Sequence, residues 1–177
     1  WRKATIHNVE YDLMFDLVAN RGVAGVGFTL EKPQDIIIDF RRTELVTGVR
    51  MFDSNESVEY SLCNEHIVIP ESETRAGRQG FSIDFNVDNQ SLNRRDEFLY
   101  TLLVPDRART LFPCFDQPDM KAHYRLSLAI PEEWEAVSNT PVTTPEYDAE
   151  DWYDLDFGHP LPEGMKIVSF ARTEPLS

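Results

Sequence analysis

Histidine and cysteine are the side chains that most often act as bases, metal ligands or nucleophiles, and this sequence contains few of either. No two histidines bracket a glutamate as a His-Glu-x-x-His zinc site requires. The sequence also lacks a Gly-x-Ser-x-Gly nucleophile elbow and a glycine-rich phosphate loop. We therefore predict that the chain alone binds no metal or cofactor and is not catalytic. The scattered histidines are His7, His66, His123 and His159.

The two cysteines, Cys63 and Cys114, are too few for a disulfide framework. Cys114 has no histidine near it in the sequence to activate its thiol. We expect it to pack as a small buried apolar residue, with no bond to Cys63.

The segment from Ala108 to Ala122 combines residue types that stiffen a loop. Pro113 and Pro118 each fix a φ angle, Asp116 and Asp119 can close turns onto backbone N–H groups, and Arg109 can pair with Asp116. Two interpretations stay open at this point. The segment is a stiff connection between strands, or it presents neighbouring residues to an active site on another domain.

The same segment carries a resemblance to a known family. It reads Ala-Arg-Thr-Leu-Phe-Pro-Cys-Phe-Asp-Gln-Pro-Asp-Met-Lys-Ala and is followed by Trp134 and by Ala136-Val137-Ser138-Asn139. This pattern resembles the N-terminal domain of the M1 family of zinc aminopeptidases. The resemblance implies a loop scaffold whose members are Arg109, Pro113, Asp116, Pro118 and Lys121.

The resemblance also points to one position beside the substrate. In the family, a Gln or Glu five residues before the motif arginine helps to hold the free α-amine of the substrate. The corresponding residue here is Val104, which has no charge or hydrogen-bonding group in its side chain. We expect Val104 to face the cleft and amine recognition to differ from the family pattern.

The resemblance implies that catalysis takes place in another domain of the protein. Residues 1–177 are expected to form one N-terminal β domain that ends just before its closing strands, without the catalytic zinc domain. In that missing domain two His and one Glu would hold zinc. The expected partners are that catalytic domain, in the same polypeptide, and a peptide substrate. We also expect an exposed apolar surface near Val104 and residues 112–118, where the two domains meet.

A second interpretation is a free-standing β-sandwich module that binds a protein or carbohydrate. Trp134, Trp152 and Tyr153 would then form an exposed aromatic platform.

The elements that position these residues are predicted to be strands. Apolar side chains alternate with polar ones in three long runs and one short run, which is the period of a half-buried strand. Turn-forming residues separate the runs at Asn20-Arg21-Gly22, Asp53-Ser54-Asn55 and Asp88-Asn89. The pattern predicts an all-β fold, a bent double sheet or β-sandwich of saddle-like shape with long loops. The alternating runs are 9–17, 26–30, 81–87 and 124–130, with β-branched runs at 36–40 and 66–70.

Charge and hydropathy disfavour several classes of binding partner. The formal net charge of −14 disfavours nucleic acid and anionic lipid, because both are bound by clustered cations. No apolar run reaches the ~20 residues of a membrane-spanning helix, so no membrane contact is evident. The compartment stays open between cytoplasm and periplasm or cell envelope.

Overall fold

The computed structural model of the protein describes residues 2–90, 92–95, 97–103, 107–144 and 156–176. Strands are the main regular structure of these residues, and a short helix, α1 (Arg2–Thr5), precedes them. The strands are β1 (Ile6–Asp16), β2 (Arg21–Leu30), β3 (Ile36–Asp39), β4 (Val46–Met51), β5 (Ser61–Cys63), β6 (His66–Ile69), β7 (Gly77–Asn86), β8 (Leu92–Arg94), β9 (Leu99–Thr101), β10 (His123–Pro131), β11 (Val142–Thr143) and β12 (Met165–Phe170).

A seven-stranded sheet forms the framework, in the order β11-β12-β10-β1-β2-β7-β4. All its pairings are antiparallel except that of β1 with β10, which run in the same direction with Tyr11 opposite Tyr124. A second sheet has the order β3-β6-β5, and β8 and β9 form a hairpin. The parallel pair places the end of the motif segment beside the N-terminal strand.

The hydrophobic core joins one face of the large sheet to the smaller sheet. Alternate residues of β1, such as Tyr11 and Leu13, are buried there together with Ile38 of β3 and Ile67 of β6. Because successive side chains of a strand point to opposite faces, the alternation in the sequence becomes one buried face and one more polar face. The all-β, sandwich-like class predicted from the sequence is confirmed.

The other face of the large sheet, which we call the outer face, holds a smaller apolar cluster. Met14, Val23 and Ala129 are buried on it beneath Phe157. The rest of this face carries charged side chains, among them Glu10 of β1.

The structure refines several of the predicted strands. β2 begins at Arg21 and β7 at Gly77, earlier than the apolar alternation indicates, because glycines and polar residues also take part in the ladder between them. In β3, Ile36 and Ile38 are buried whereas Ile37 is half-buried, so one face of this strand is fully enclosed. The predicted turns at Asn20 and Asn55 are present, each with a positive φ that asparagine tolerates.

Candidate functional site

The motif segment, residues 108–122, closes one end of the sandwich. It begins with a helical turn at Ala108–Thr110 and then crosses the end of β3, where Asp39 and Cys114 exchange two backbone hydrogen bonds of 2.8 and 3.0 Å. At its end, Ala122 exchanges two backbone hydrogen bonds of 2.8 Å with Leu176. The segment is therefore fixed to β3 at its middle and to the residues that follow β12 at its end.

The Asp39 carboxylate is the main polar anchor of the segment. Asp39 is buried, and its two oxygens accept hydrogen bonds of 2.5 and 2.7 Å from the guanidinium of Arg2. The backbone N–H of Asp116 donates to the same carboxylate at 3.0 Å, and Nε2 of His66 lies 3.2 Å from it. A buried carboxylate is costly unless it is paired, and here a bidentate cation and further donors surround it.

The N-terminal turn α1 braces the segment through this anchor. The Arg2 guanidinium lies 6.0 Å from the centroid of the Phe115 ring, within the range of a cation–π contact. Lys3 forms a second, exposed ion pair with Asp119 at 3.2 Å. Residues at the start of the chain thus hold the motif segment from outside.

The predicted contact between Arg109 and Asp116 forms with a different geometry. The backbone N–H of Arg109 donates to Oδ2 of Asp116 at 3.3 Å, while its Nε lies 3.8 Å from the same oxygen. Nη1 of Arg109 reaches Oε2 of Glu65 at 3.4 Å, in the turn between β5 and β6. Arg109 therefore links the motif segment both to itself and to the smaller sheet.

The remaining predicted scaffold residues differ in their exposure to solvent. Pro113 is buried, whereas Pro118 is exposed in a turn closed by the hydrogen bond from Met120 N–H to the Gln117 carbonyl oxygen at 2.9 Å. Proline at the second position of a turn matches its preferred φ. Lys121 is exposed and makes no hydrogen bond or ion pair with the residues that the structure describes.

Aromatic packing fixes the inner side of the segment. The hydroxyl of Tyr11 accepts a 2.8 Å hydrogen bond from the backbone N–H of Phe115, and its ring stacks on Tyr124 at 5.0 Å. Burial raises the pKa of Tyr11 well above its usual range, with a contribution from Cys114, so the phenol is neutral at physiological pH. Cys114 itself is buried, as predicted, and its thiol is free.

The chemical state of Cys114 follows from its surroundings. Burial first, and then the charges of Asp116 and Asp39, raise the pKa of the Cys114 thiol well above its ordinary value. The thiolate, which is the reactive form of cysteine, is therefore suppressed at neutral pH. The arrangement favours packing by Cys114 over nucleophilic chemistry.

Val104 lies outside the described residues. The hairpin that precedes it in the chain presents Phe98, Tyr100 and Leu102, each about half exposed, while Leu99 and Leu103 pack against the core. This hairpin therefore exposes three apolar side chains close to Val104 in the chain. The expectation that residues 112–118 also form an exposed apolar surface is wrong for residues 112–115, which are buried because the segment closes the core.

The histidines lie apart, each in its own local environment. Nδ1 of His123 lies 2.8 Å from the Thr173 carbonyl oxygen, and Nε2 of His7 lies 3.8 Å from Glu31. Among the described residues no group of three or more His, Cys, Asp or Glu side chains is arranged to hold a metal ion. These described residues therefore do not form a zinc site.

Trp134 is partly buried and packs against the main core, which removes one member of the predicted aromatic platform. Trp152 and Tyr153 lie outside the described residues. None of the helices within the described ranges has the length and apolar character needed to cross a membrane.

Sequence reasoning missed the anchor formed by Arg2, Asp39 and His66. The only local signal is a charged residue at the end of the β-branched run, and such a residue more often marks a strand end at the surface. The anchor exists because α1, β3 and β6 meet in space.

The fold and this site define an all-β domain with a rigidly anchored, largely buried motif segment. A family model described as the Peptidase M1 N-terminal domain matches residues 7–177. The chain therefore belongs to the M1 peptidase family and corresponds to its N-terminal domain.

Individual relatives agree with this assignment. The chain is 43% identical to glutamyl aminopeptidase of Rattus norvegicus over 67 residues, 38% of this chain and 7% of the relative. It is 25% identical to the Mus musculus protein of the same name, covering 94% of this chain and 20% of that relative. Aminopeptidase N of Streptomyces lividans is 44% identical over 50 residues, which cover 28% of this chain and 6% of that protein.

A solved structure has the same fold. The M1 zinc metallopeptidase from Deinococcus radiodurans superposes with a TM-score of 0.68 over 97% of this chain, at 15% identity. The match covers 40% of that protein's chain. The present chain thus spans a minor part of each of these relatives.

Proposed function

We propose that this chain forms one wall of the substrate cleft in a zinc-dependent aminopeptidase that removes N-terminal residues from peptides. Zinc would be bound by a further domain of the same polypeptide, where it would activate water for hydrolysis. The role of residues 1–177 would be to position the wall and to brace the catalytic domain.

The observation that carries this proposal is the anchoring of the motif segment. A site formed between two domains requires each wall to hold its shape, because misplaced contacts cost both binding and rate. The buried Asp39 carboxylate, held by Arg2 and by the Asp116 N–H, gives this wall a fixed shape.

The hairpin formed by β8 and β9 supports the same proposal. It exposes Phe98, Tyr100 and Leu102 on one side, and the chain then reaches Val104. Exposed apolar side chains that neighbour one another mark surfaces that another domain or a ligand covers. We assign this side of the hairpin to the cleft and its border with the catalytic domain.

Recognition of the substrate amine would differ from the family pattern at Val104. An ammonium group in a closed pocket requires charged or hydrogen-bonding partners, and valine provides neither. The acidic groups of the catalytic domain would then carry amine recognition alone.

The direct test compares the 177-residue chain with the full-length parent protein. Zinc content after dialysis and hydrolysis of a panel of aminoacyl anilides, the glutamyl derivative included, are measured for both. We expect zinc and chelator-sensitive hydrolysis in the parent and neither in the chain alone. Stoichiometric zinc with turnover in the 177-residue chain would contradict the proposal, as would a parent without aminopeptidase activity.

A further inference from the structure

A short segment, residues 156–161, lies across the outer face of the large sheet. Phe157 is only 6% exposed and covers the small apolar cluster on that face. Leu161 packs beside it. The cluster consists of Met14, Val23 and Ala129, which this segment shields from water.

Arg21, at the start of β2, holds the segment in place. Its guanidinium lies 5.0 Å from the centroid of the Phe157 ring, and Nη1 donates to the Phe157 carbonyl oxygen at 3.4 Å. The same Nη1 lies 3.4 Å from Nε2 of His159. One cation thus contacts a ring, a carbonyl group and an imidazole of the segment.

Asp156 begins the segment in an unfavourable place for a negative charge. Its side chain is 15% exposed and lies 4.0 Å from Arg50 of β4. That guanidinium already donates two hydrogen bonds, of 2.7 and 3.1 Å, to Asp84 of β7. Burial, and then the negative charges of Asp84 and Asp12, raise the pKa of Asp156 to about 6, although Arg50 opposes the shift.

We infer that residues 156–161 form a pH-sensitive strap, bound tightly to the outer face when the Asp156 carboxyl is protonated and loosened when it ionises. The geometry that carries this inference is a largely buried Asp156 carboxylate whose nearest cation is already engaged. Arg50 lies 4.0 Å from Asp156, and its guanidinium donates two hydrogen bonds to Asp84.

The direction of the effect follows from linkage between protonation and binding. A released Asp156 has an ordinary pKa near 3.8, and the bound one has a pKa of about 6. The bound form therefore holds its proton more strongly, so strap binding is favoured at acidic pH and weakens as the pH rises from about 4 to 6. A shift of about two units corresponds to about a hundredfold in the equilibrium between bound and released strap.

Other charged groups around the strap modify this response. Burial raises the pKa of Asp12, and Arg125 of β10, 3.8 Å away, partly opposes this shift. His159 is the second titratable side chain of residues 156–161, and its Nε2 lies 3.4 Å from Nη1 of Arg21. The substitution His159→Gln removes it and leaves Asp156 as the one titratable side chain of the strap.

Hydrogen exchange of the peptide that covers residues 156–165 tests the inference. The rate is measured in the His159→Gln protein and in a His159→Gln, Asp156→Asn protein at pH 5 and pH 8. At each pH, the rate in the His159→Gln protein is divided by the rate in the double variant, which cancels the intrinsic pH dependence of exchange. We expect this ratio to rise about tenfold between pH 5 and pH 8, because most of the proton loss from the bound form falls in this interval.

Two further variants make the outcome decisive. Phe157→Ala should release the strap at both pH values and so supplies the exchange rate of the open form. Asp53→Asn, which removes an exposed carboxylate that pairs with Arg75, should leave the ratio unchanged. A ratio that is constant between pH 5 and pH 8, or a change shared equally by all peptides of the chain, would overturn the inference.

Discussion

At the scale of single residues, the structure depends most on the buried Asp39 carboxylate. It joins the N-terminal turn, the smaller sheet and the motif segment, through Arg2, His66 and the N–H of Asp116. Removing such a carboxylate leaves a buried guanidinium without its partner, which costs more than the pair itself contributes.

We therefore expect Asp39→Ala to lower the free energy of unfolding by about 3–5 kcal/mol. Urea unfolding followed by tryptophan fluorescence measures this loss. The matched control is Asp53→Ala, which breaks the exposed pair with Arg75 and should leave the unfolding midpoint almost unchanged. Equal effects of the two substitutions would show that Asp39 is not a central anchor.

The two cysteines should differ sharply in reactivity. Cys63 is exposed at the end of β5, whereas Cys114 is buried and burial raises its pKa. With a thiol reagent at pH 8, we expect one thiol per chain to react quickly in the native protein and the second only on unfolding. A Cys63→Ser protein should then show almost no fast reaction, and rapid labelling of that protein would show that Cys114 is accessible.

At the scale of elements, the large sheet depends on close approach between β2 and β7. Gly80 of β7 lies opposite Gly27, and a Cβ atom at Gly80 would come within 2.8 Å of the Val26 carbonyl oxygen. The neighbouring atom is backbone and cannot turn aside. A glycine at this position therefore permits the two strands to pair at this distance.

Gly80→Ala is expected to destabilise the chain by about 1–3 kcal/mol, the usual cost of overpacking in a packed interior. Thermal or urea unfolding measures it. Gly48→Ala is the matched control, since its Cβ would meet only the Asp84 carboxylate, at 3.2 Å. A larger loss for Gly48→Ala than for Gly80→Ala would contradict this account of the strand pairing.

The strap is a second feature that belongs to the scale of elements. It covers the outer face with one buried aromatic residue, and its binding is opposed by the ionisation of Asp156. Segments held by few apolar contacts open at lower free energy than the sheets on which they lie. Its response to pH should therefore be local and separable from unfolding of the whole chain.

At the scale of the whole molecule, the chain is acidic, with a net charge of −14 and an isoelectric point near 4.6. The exposed apolar residues Phe98, Tyr100 and Leu102 are exceptions on this charged surface. They lie on the hairpin that leads toward Val104. We place the contact with the catalytic domain there as part of the proposed function.

Within the full-length parent, Val104→Glu should strengthen binding of substrates with a free α-amine. A hydrogen bond to a charged group contributes about 1.5–3 kcal/mol, roughly ten- to a hundredfold in binding, less the cost of desolvating the new carboxylate. Inhibition constants of a free-amine peptide and its N-acetylated form, measured against a chromogenic substrate, provide the comparison, with Val104→Leu as the apolar control. Equal changes for both substrates, or no change for either, would show that Val104 does not face the amine.

The sequence by itself determined the all-β class and the family. Both signals are local. The alternation in β1, β7 and β10 reflects one buried face of each strand, and the family motif is a run of consecutive residues. The predicted burial of Cys114 was also correct, because a lone cysteine among apolar neighbours tends to pack inward.

Only the tertiary structure decided which distant residues meet. Asp39 acquires Arg2 and Asp116 as partners because the smaller sheet, α1 and the motif segment converge there. Asp156 and Arg50 lie close together on the outer face of the large sheet, although they are far apart in the sequence. The pairing energy of such groups depends on separation and burial in three dimensions, which no local pattern in the sequence records.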